Sequence, residues 1–113
     1  MAIEEWDLLE FFGVEPKVEG DTTWPYNDFC YEVEREGFSL SFALNPANSD
    51  ITMTLRCGEQ TVYELVALSV KDIRTRSIED GSQVLEVVLA DGDVLSLVVE
   101  PTITVNHRYA SST

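Results

Sequence analysis

The strongest constraint on this chain is a two-residue alternation of apolar and polar side chains that begins at Phe29 and continues through most of the remaining sequence. In its first stretch, Phe29, Tyr31 and Val33 alternate with polar residues. Successive side chains of a β-strand point to opposite faces, so this period predicts strands with one buried and one exposed face. Similar alternation occurs over residues 38–44 and 51–55, and the apolar stretches 84–89 and 94–99 flank Asp91-Gly92 as the two strands of a predicted hairpin.

Short turn sequences separate these stretches and favour antiparallel hairpins. They are Arg35-Glu36-Gly37, the loop at residues 45–50, Cys57-Gly58-Glu59 and Asp91-Gly92. The last of these is typical of a two-residue type I′ turn. Residues 61–73 fit either one bent strand or two strands that meet near Ser69. Because Pro101 cannot donate a ladder hydrogen bond, residues 102–105 are predicted to form an edge strand or to start a new direction.

A short helix is predicted over about residues 3–12, where Ile3, Trp6, Leu9 and Phe12 can share one face. Gly13 would end this helix. A helix of this length is marginal in isolation, so we expect its apolar face to pack against a sheet. Residues 13–27 contain two prolines and two glycines without a sustained period, and are predicted to form an irregular connection.

Together these features predict a single domain over residues 1–113 that is mainly β, in the α+β class. Its β region spans residues 28–106, and residues 110–113 are expected to fray. The strands would form an antiparallel meander or a partly closed barrel of about six to eight strands with one short N-terminal helix.

The composition is that of a folded domain rather than an acidic tail. The net charge is -14, but 44% of the 113 residues are hydrophobic, which is enough for a core. The apolar runs are much shorter than the roughly 20 residues of a membrane helix, and the acidic start is unlike a signal peptide. Aromatic residues are not interleaved with Lys or Arg, as nucleic-acid binding would require. We therefore expect a cytoplasmic protein without a membrane or nucleic-acid partner.

Two cysteines allow at most one disulfide, and the alternation argues against it. Cys30 falls between the inward positions of its strand, whereas Cys57 shares the inward parity of Met53 and Leu55. The two side chains would therefore lie on opposite faces. We expect two reduced thiols.

The sequence offers little material for catalysis. His107 is the single histidine, and no Ser or Cys lies in an activating sequence context. Carboxylate pairs occur mainly at turns and on predicted solvent faces, where they are expected in any case. We predict no enzymatic activity, no cofactor and no metal. The small basic cluster of Lys71, Arg74 and Arg76 is predicted to pair with carboxylates of a neighbouring strand.

Negative charge is concentrated near the N-terminus, because residues 1–36 hold eleven acidic and two basic side chains. Such a surface attracts a basic partner and weakens with salt. Trp24 and Tyr26 lie within this region, where they would either close the core or anchor an interface. The candidate binding residues are Glu10, Glu15, Glu19, Asp21, Trp24, Tyr26, Asp28, Glu32 and Glu34.

The segment Trp24-Pro25-Tyr26-Asn27-Asp28, followed by an alternating strand with Glu32 and Val33, resembles the opening of small acidic bacterial polymorphic-toxin immunity proteins. The resemblance implies a cytoplasmic inhibitor that binds its cognate toxin domain tightly and blocks the active site. The acidic N-terminal region would suit a basic toxin or nuclease.

Two other functions remain open from the residues alone. One is a structural or assembly subunit whose copies associate through an exposed sheet edge, since unpaired strand edges template further pairing. A β domain that binds a small ligand is the other alternative. Salt sensitivity separates an acidic binding protein from a sheet-edge oligomer.

Overall fold

A computed structural model describes residues 3–18, 28–78, 81–100 and 102–109. Within these ranges the chain forms one helix and nine strands. In chain order they are α1 (Glu5–Phe12), β1 (Lys17–Val18), β2 (Phe29–Arg35), β3 (Phe38–Asn45), β4 (Asp50–Cys57), β5 (Gln60–Ala67), β6 (Asp72–Ser77), β7 (Gln83–Val88), β8 (Val94–Val98) and β9 (Thr104–Arg108).

The strands form two antiparallel sheets, which we name sheet A and sheet B. Sheet A has the order β1-β2-β3-β4-β5, and sheet B has the order β6-β7-β8-β9. Within each sheet, neighbouring strands are consecutive in the sequence, as in a meander. The predicted class, mainly β with one N-terminal helix, is confirmed. The described strands form two open sheets rather than a closed barrel.

Residues 61–73 form two strands, one of the two alternatives that the sequence left open. β5 ends at Ala67 and β6 begins at Asp72, so the chain passes from sheet A to sheet B within four residues. Ser69 has a φ of 52°, in the left-handed region. Its N–H donates to the Asp50 carboxylate over 2.9 Å, which ties the crossing to the start of β4.

The inward-facing side chains of both sheets and the helix meet in one core, as the alternation predicts. The core residues on sheet A are Phe29, Tyr31, Val33, Leu40, Phe42, Leu44, Ile51 and Met53, and those on sheet B include Ile73, Leu85, Val87, Leu95 and Leu97. The opposite face of sheet A is therefore left for solvent or a partner, whereas Val84 and Glu86 on the opposite face of sheet B are also buried.

Helix α1 buries a different face from the predicted one. Leu8, Phe11 and Phe12 are buried, whereas Trp6 is 70% exposed and Leu9 is 38% exposed. Three residues rotate an α-helix by about 300°, so a stripe with strict three-residue spacing drifts by about 60° at each step. The stripe of Trp6 and Leu9 therefore turns away from the core, and the prediction for these two residues is wrong.

The ends of α1 follow from local hydrogen bonds. Glu4 and Asp7 form a reciprocal capping box at the N-terminus. Gly13 has a φ of 70° and donates its N–H to the Leu9 carbonyl over 2.9 Å, which ends the helix. No helix in the described ranges is long and apolar enough to cross a membrane.

The two-residue type I′ turn lies at a different hairpin from the predicted one. Glu36 and Gly37 both have positive φ, 51° and 85°, and link directly paired Arg35 and Phe38, as in a type I′ turn. At the other hairpin Gly92 has a positive φ and Asp91 does not. The Leu89 N–H bonds to the Asp93 carbonyl across a three-residue loop. The predicted hairpin is present, but its predicted type I′ turn is wrong.

Candidate functional site

The outer face of sheet A is the best candidate for a binding surface, and we call it the acidic face. Its side chains alternate with the core residues of β2 to β5. They are Cys30, Glu32, Glu34, Ser39, Ser41, Ala43, Thr52, Thr54, Arg56, Glu64 and Val66.

The centre of the acidic face is lined by small side chains. The strand register places Ser41 beside Glu32 and Thr54 beside Ser41, with Glu64 at the far end of the same row. A second row joins Cys30, Ala43 and Thr52 in β2, β3 and β4. Serine, alanine and threonine have short side chains, so longer side chains of a partner can approach the sheet between the flanking carboxylates.

Two shallow cavities lie on this face. The larger has a volume of about 600 Å³, and its lining includes Cys30, Ala43 and Thr52, with Val18 and Leu68 at its two sides. The smaller has a volume of about 400 Å³, and its lining includes Glu32, Glu34 and Arg56. One end of the face therefore offers apolar surface, and the other offers carboxylates.

Carboxylates outnumber cations around the acidic face. Lys17 Nζ lies 3.0 Å from Glu32 Oε1, but both side chains remain mostly exposed. Ser39 Oγ donates to Glu34 Oε1 over 3.3 Å. Exposed pairs of this kind contribute little stability, so a stronger cationic partner can replace them.

The structure separates the candidate residues that the sequence grouped together. Glu32 and Glu34 lie on the acidic face, and Asp28 borders the larger cavity, where it accepts a hydrogen bond from Asn45 Nδ2 over 2.7 Å. Glu15 lies just before β1, at the edge of sheet A.

Glu10 belongs to another part of the molecule. It is an exposed residue of α1, and its Oε1 accepts a hydrogen bond from Gln83 Nε2 at the start of β7 over 3.4 Å. It therefore does not join Glu32 and Glu34 on one surface. Glu19, Asp21, Trp24 and Tyr26 lie outside the described residues.

Sequence reasoning missed two carboxylates at this face. Glu64 joins the row of Glu32 through β3 and β4, and Asp50 lines the larger cavity. Their outward parity is visible in the sequence, since Glu64 alternates with Tyr63 and Leu65. The order of the strands, which brings β5 onto the sheet of β2, is not visible there.

The two arginines of the basic cluster have the local pairing role that the sequence predicted. Arg74 Nε lies 3.1 Å from Glu86 Oε1, and Arg76 Nε lies 3.2 Å from Glu86 Oε2. Glu86 is 4% exposed. Burial alone would raise the pKa of Glu86, but hydrogen bonds and charge from the two arginines outweigh it and hold that pKa below its ordinary value. This cluster stabilises sheet B.

His107 is part of a second polar pair on sheet B. Its Nε2 lies 2.9 Å from Asp93 Oδ2, and Tyr109 stacks on its ring with centroids 4.7 Å apart. Cys30 and Cys57 are both free thiols, as predicted. Within the described ranges, no group of three or more His, Cys, Asp or Glu side chains is placed to hold a metal ion.

The comparisons with known proteins bear on the fold. No protein-family model matches the chain, and no curated protein matches it in sequence. A chain of the contact-dependent growth inhibition toxin - immunity protein complex from Klebsiella pneumoniae 342 has a similar structure, with a TM-score of 0.76 and 19% identity. The match covers 93% of this chain and 92% of that one. The β-rich fold is therefore shared with a component of a toxin–immunity complex.

Proposed function

We propose that this protein is a non-enzymatic, immunity-type inhibitor that binds a basic toxin domain through the acidic face. The observation that carries the proposal is the similarity of fold, over nearly the whole length of both chains, to a component of a toxin–immunity complex. An inhibitor of this type needs no catalytic group of its own, because it acts by covering a surface of its target.

The chemistry of the acidic face supports a basic target. Glu32 and Glu34 point to the same side of β2, about 7 Å apart along the strand, and Glu64 flanks them across the sheet. Carboxylates arranged in this way attract lysine and arginine side chains and accelerate association through long-range electrostatics. The apolar cavity beside them offers space for an uncharged side chain of the same partner.

A capture experiment followed by a growth assay tests the proposal. The protein is immobilised, lysate of the source cells is passed over it, and bound proteins are released with a salt step and identified. The captured protein is then expressed in bacteria with and without this chain. We expect the captured protein to be basic and to arrest growth, and we expect growth to recover when this chain is present.

Two charge-reversed variants make the assay specific for the acidic face. Glu32→Lys/Glu34→Lys changes the face, and Glu10→Lys/Asp91→Lys makes the same change in net charge on α1 and on the loop after β7. The first variant should lose capture and growth rescue, and the second should keep both. Failure of this chain to restore growth would overturn the inhibitor assignment, and equal loss in both variants would overturn the assignment of the face.

A further inference from the structure

The two sheets have four edge strands within the described part of the chain, and they differ in how they are protected. Unpaired strand edges attract other strands, and proteins block them by shortness, charge or bulges. β1 has only two residues, while β6 carries Arg74 and Arg76 and β9 ends in Arg108. β5 has eight residues, and Glu64 is its one charged residue. Of these edges, β5 is the least protected by charge or length.

The same strand leaves apolar surface uncovered on both of its faces. On the outer side Val62 is 49% exposed and Val66 is 62% exposed. On the inner side Tyr63, Leu65 and Ala67 pack against the core but are only partly buried. A further strand beside β5 would cover apolar groups on both faces of the sheet.

One protective device is present, and it defines where pairing can occur. The register between β4 and β5 shifts opposite Leu55 and Arg56, which leaves Val62 as an extra residue in β5. From Tyr63 to Ala67 the register is regular. This regular stretch of five residues is centred on Leu65.

We propose that two copies of this chain associate by antiparallel pairing of their β5 strands, with the two-fold axis at Leu65. In this register Leu65 lies opposite Leu65 of the second copy, and Tyr63 lies opposite Ala67 of the second copy. Glu64 then lies opposite Val66 of the second copy, so no like charges are directly opposed. Moving the axis to Glu64 would place two carboxylates opposite each other, which destabilises a strand pair.

The low charge of β5 favours a second copy over a basic partner strand. Glu64 is the one charged residue of β5, and in the proposed register it lies opposite Val66 rather than opposite another carboxylate. A basic strand would find only Glu64 along β5, whereas several carboxylates are available on the acidic face.

The mass of the protein in solution, measured by sedimentation over a wide concentration range, tests this pairing without any toxin. Each copy carries a net charge of -14, so added salt should strengthen the dimer. Salt should instead weaken binding to a basic toxin, so the two proposals can fail independently. A protein that stays monomeric at high concentration and high salt would overturn the dimer.

Two substitutions at one exposed position test the register. Val66→Glu would face Glu64 of the second copy, and we expect the dimer to weaken by about tenfold or more. Val66→Lys would face the same carboxylate with an opposite charge, and the dimer should persist. Val18→Glu, at the opposite edge of sheet A, is the matched control and should leave the dimer unchanged. Equal weakening by both Val66 variants, or weakening by the control, would contradict the proposed pairing.

Discussion

At the level of single residues, Phe12 connects the helix to sheet A. Its ring stacks on the ring of Tyr31 with centroids 4.9 Å apart. The centroids of the Phe12 and Phe42 rings are 5.4 Å apart. All three side chains are almost fully buried. Their packing fixes the position of α1 relative to the strands that carry the acidic face.

Phe12→Ala should therefore lower the free energy of unfolding by about 3–5 kcal/mol, because it removes a large buried ring and leaves a cavity. Trp6→Ala in the same helix should change it by no more than about 0.5 kcal/mol, because that side chain is mostly exposed. Urea denaturation of both variants measures the difference. A larger loss for Trp6→Ala would contradict the observed orientation of α1.

Glu86 provides a residue-scale prediction that depends on pH. Glu86→Gln removes both arginine ion pairs, so at neutral pH we expect a loss of about 1–3 kcal/mol in the free energy of unfolding. The pKa of Glu86 is lowered by folding, so its contribution is present above the ordinary value of 4.5 and disappears as pH falls through the folded pKa. Denaturation of both proteins at neutral and strongly acidic pH tests this. An equally large difference in the free energy of unfolding between the two proteins at strongly acidic pH would contradict it.

At the scale of elements, the turn between β2 and β3 holds a non-glycine residue in an unfavourable conformation. Glu36 has a φ of 51°, which asparagine tolerates better than glutamate does. Glu36→Asn should raise the free energy of unfolding by about 0.5–1 kcal/mol. Glu36→Gln removes the same charge without the conformational benefit and is the control. Equal effects of the two variants in thermal denaturation would assign the gain to charge instead.

Individual elements differ in how far the sequence determines them. The strands were predictable because burial on one face imposes a strict period of two, as in Phe29, Tyr31 and Val33. The buried face of α1 was not, since Trp6 and Leu9 satisfy a three-residue spacing that does not match the helix period. The turn at Asp91-Gly92 adopts a three-residue loop because the register of β7 and β8 places Leu89 opposite Asp93, whereas a two-residue turn would require Ala90 there.

At the scale of the whole molecule, strand order decides which acidic residues can act together. Glu32 and Glu34 were predictable as neighbours because they alternate along one strand. Their separation from Glu10, and the placement of Glu32 and Glu64 at the two ends of one row across sheet A, depend on contacts between residues distant in the sequence. Local patterns carry no information about such contacts, so the composition of the acidic face required the three-dimensional structure.

The most direct test of the central claim is the association rate constant between this protein and the toxin domain obtained by capture, measured from low to high salt. We expect a rate that falls steeply with salt for the unaltered protein and for Glu10→Lys/Asp91→Lys. Glu32→Lys/Glu34→Lys should associate slowly at low salt and respond weakly to salt. An association rate that is independent of salt, or equal rates for the two charge-reversed variants, would contradict binding through the acidic face.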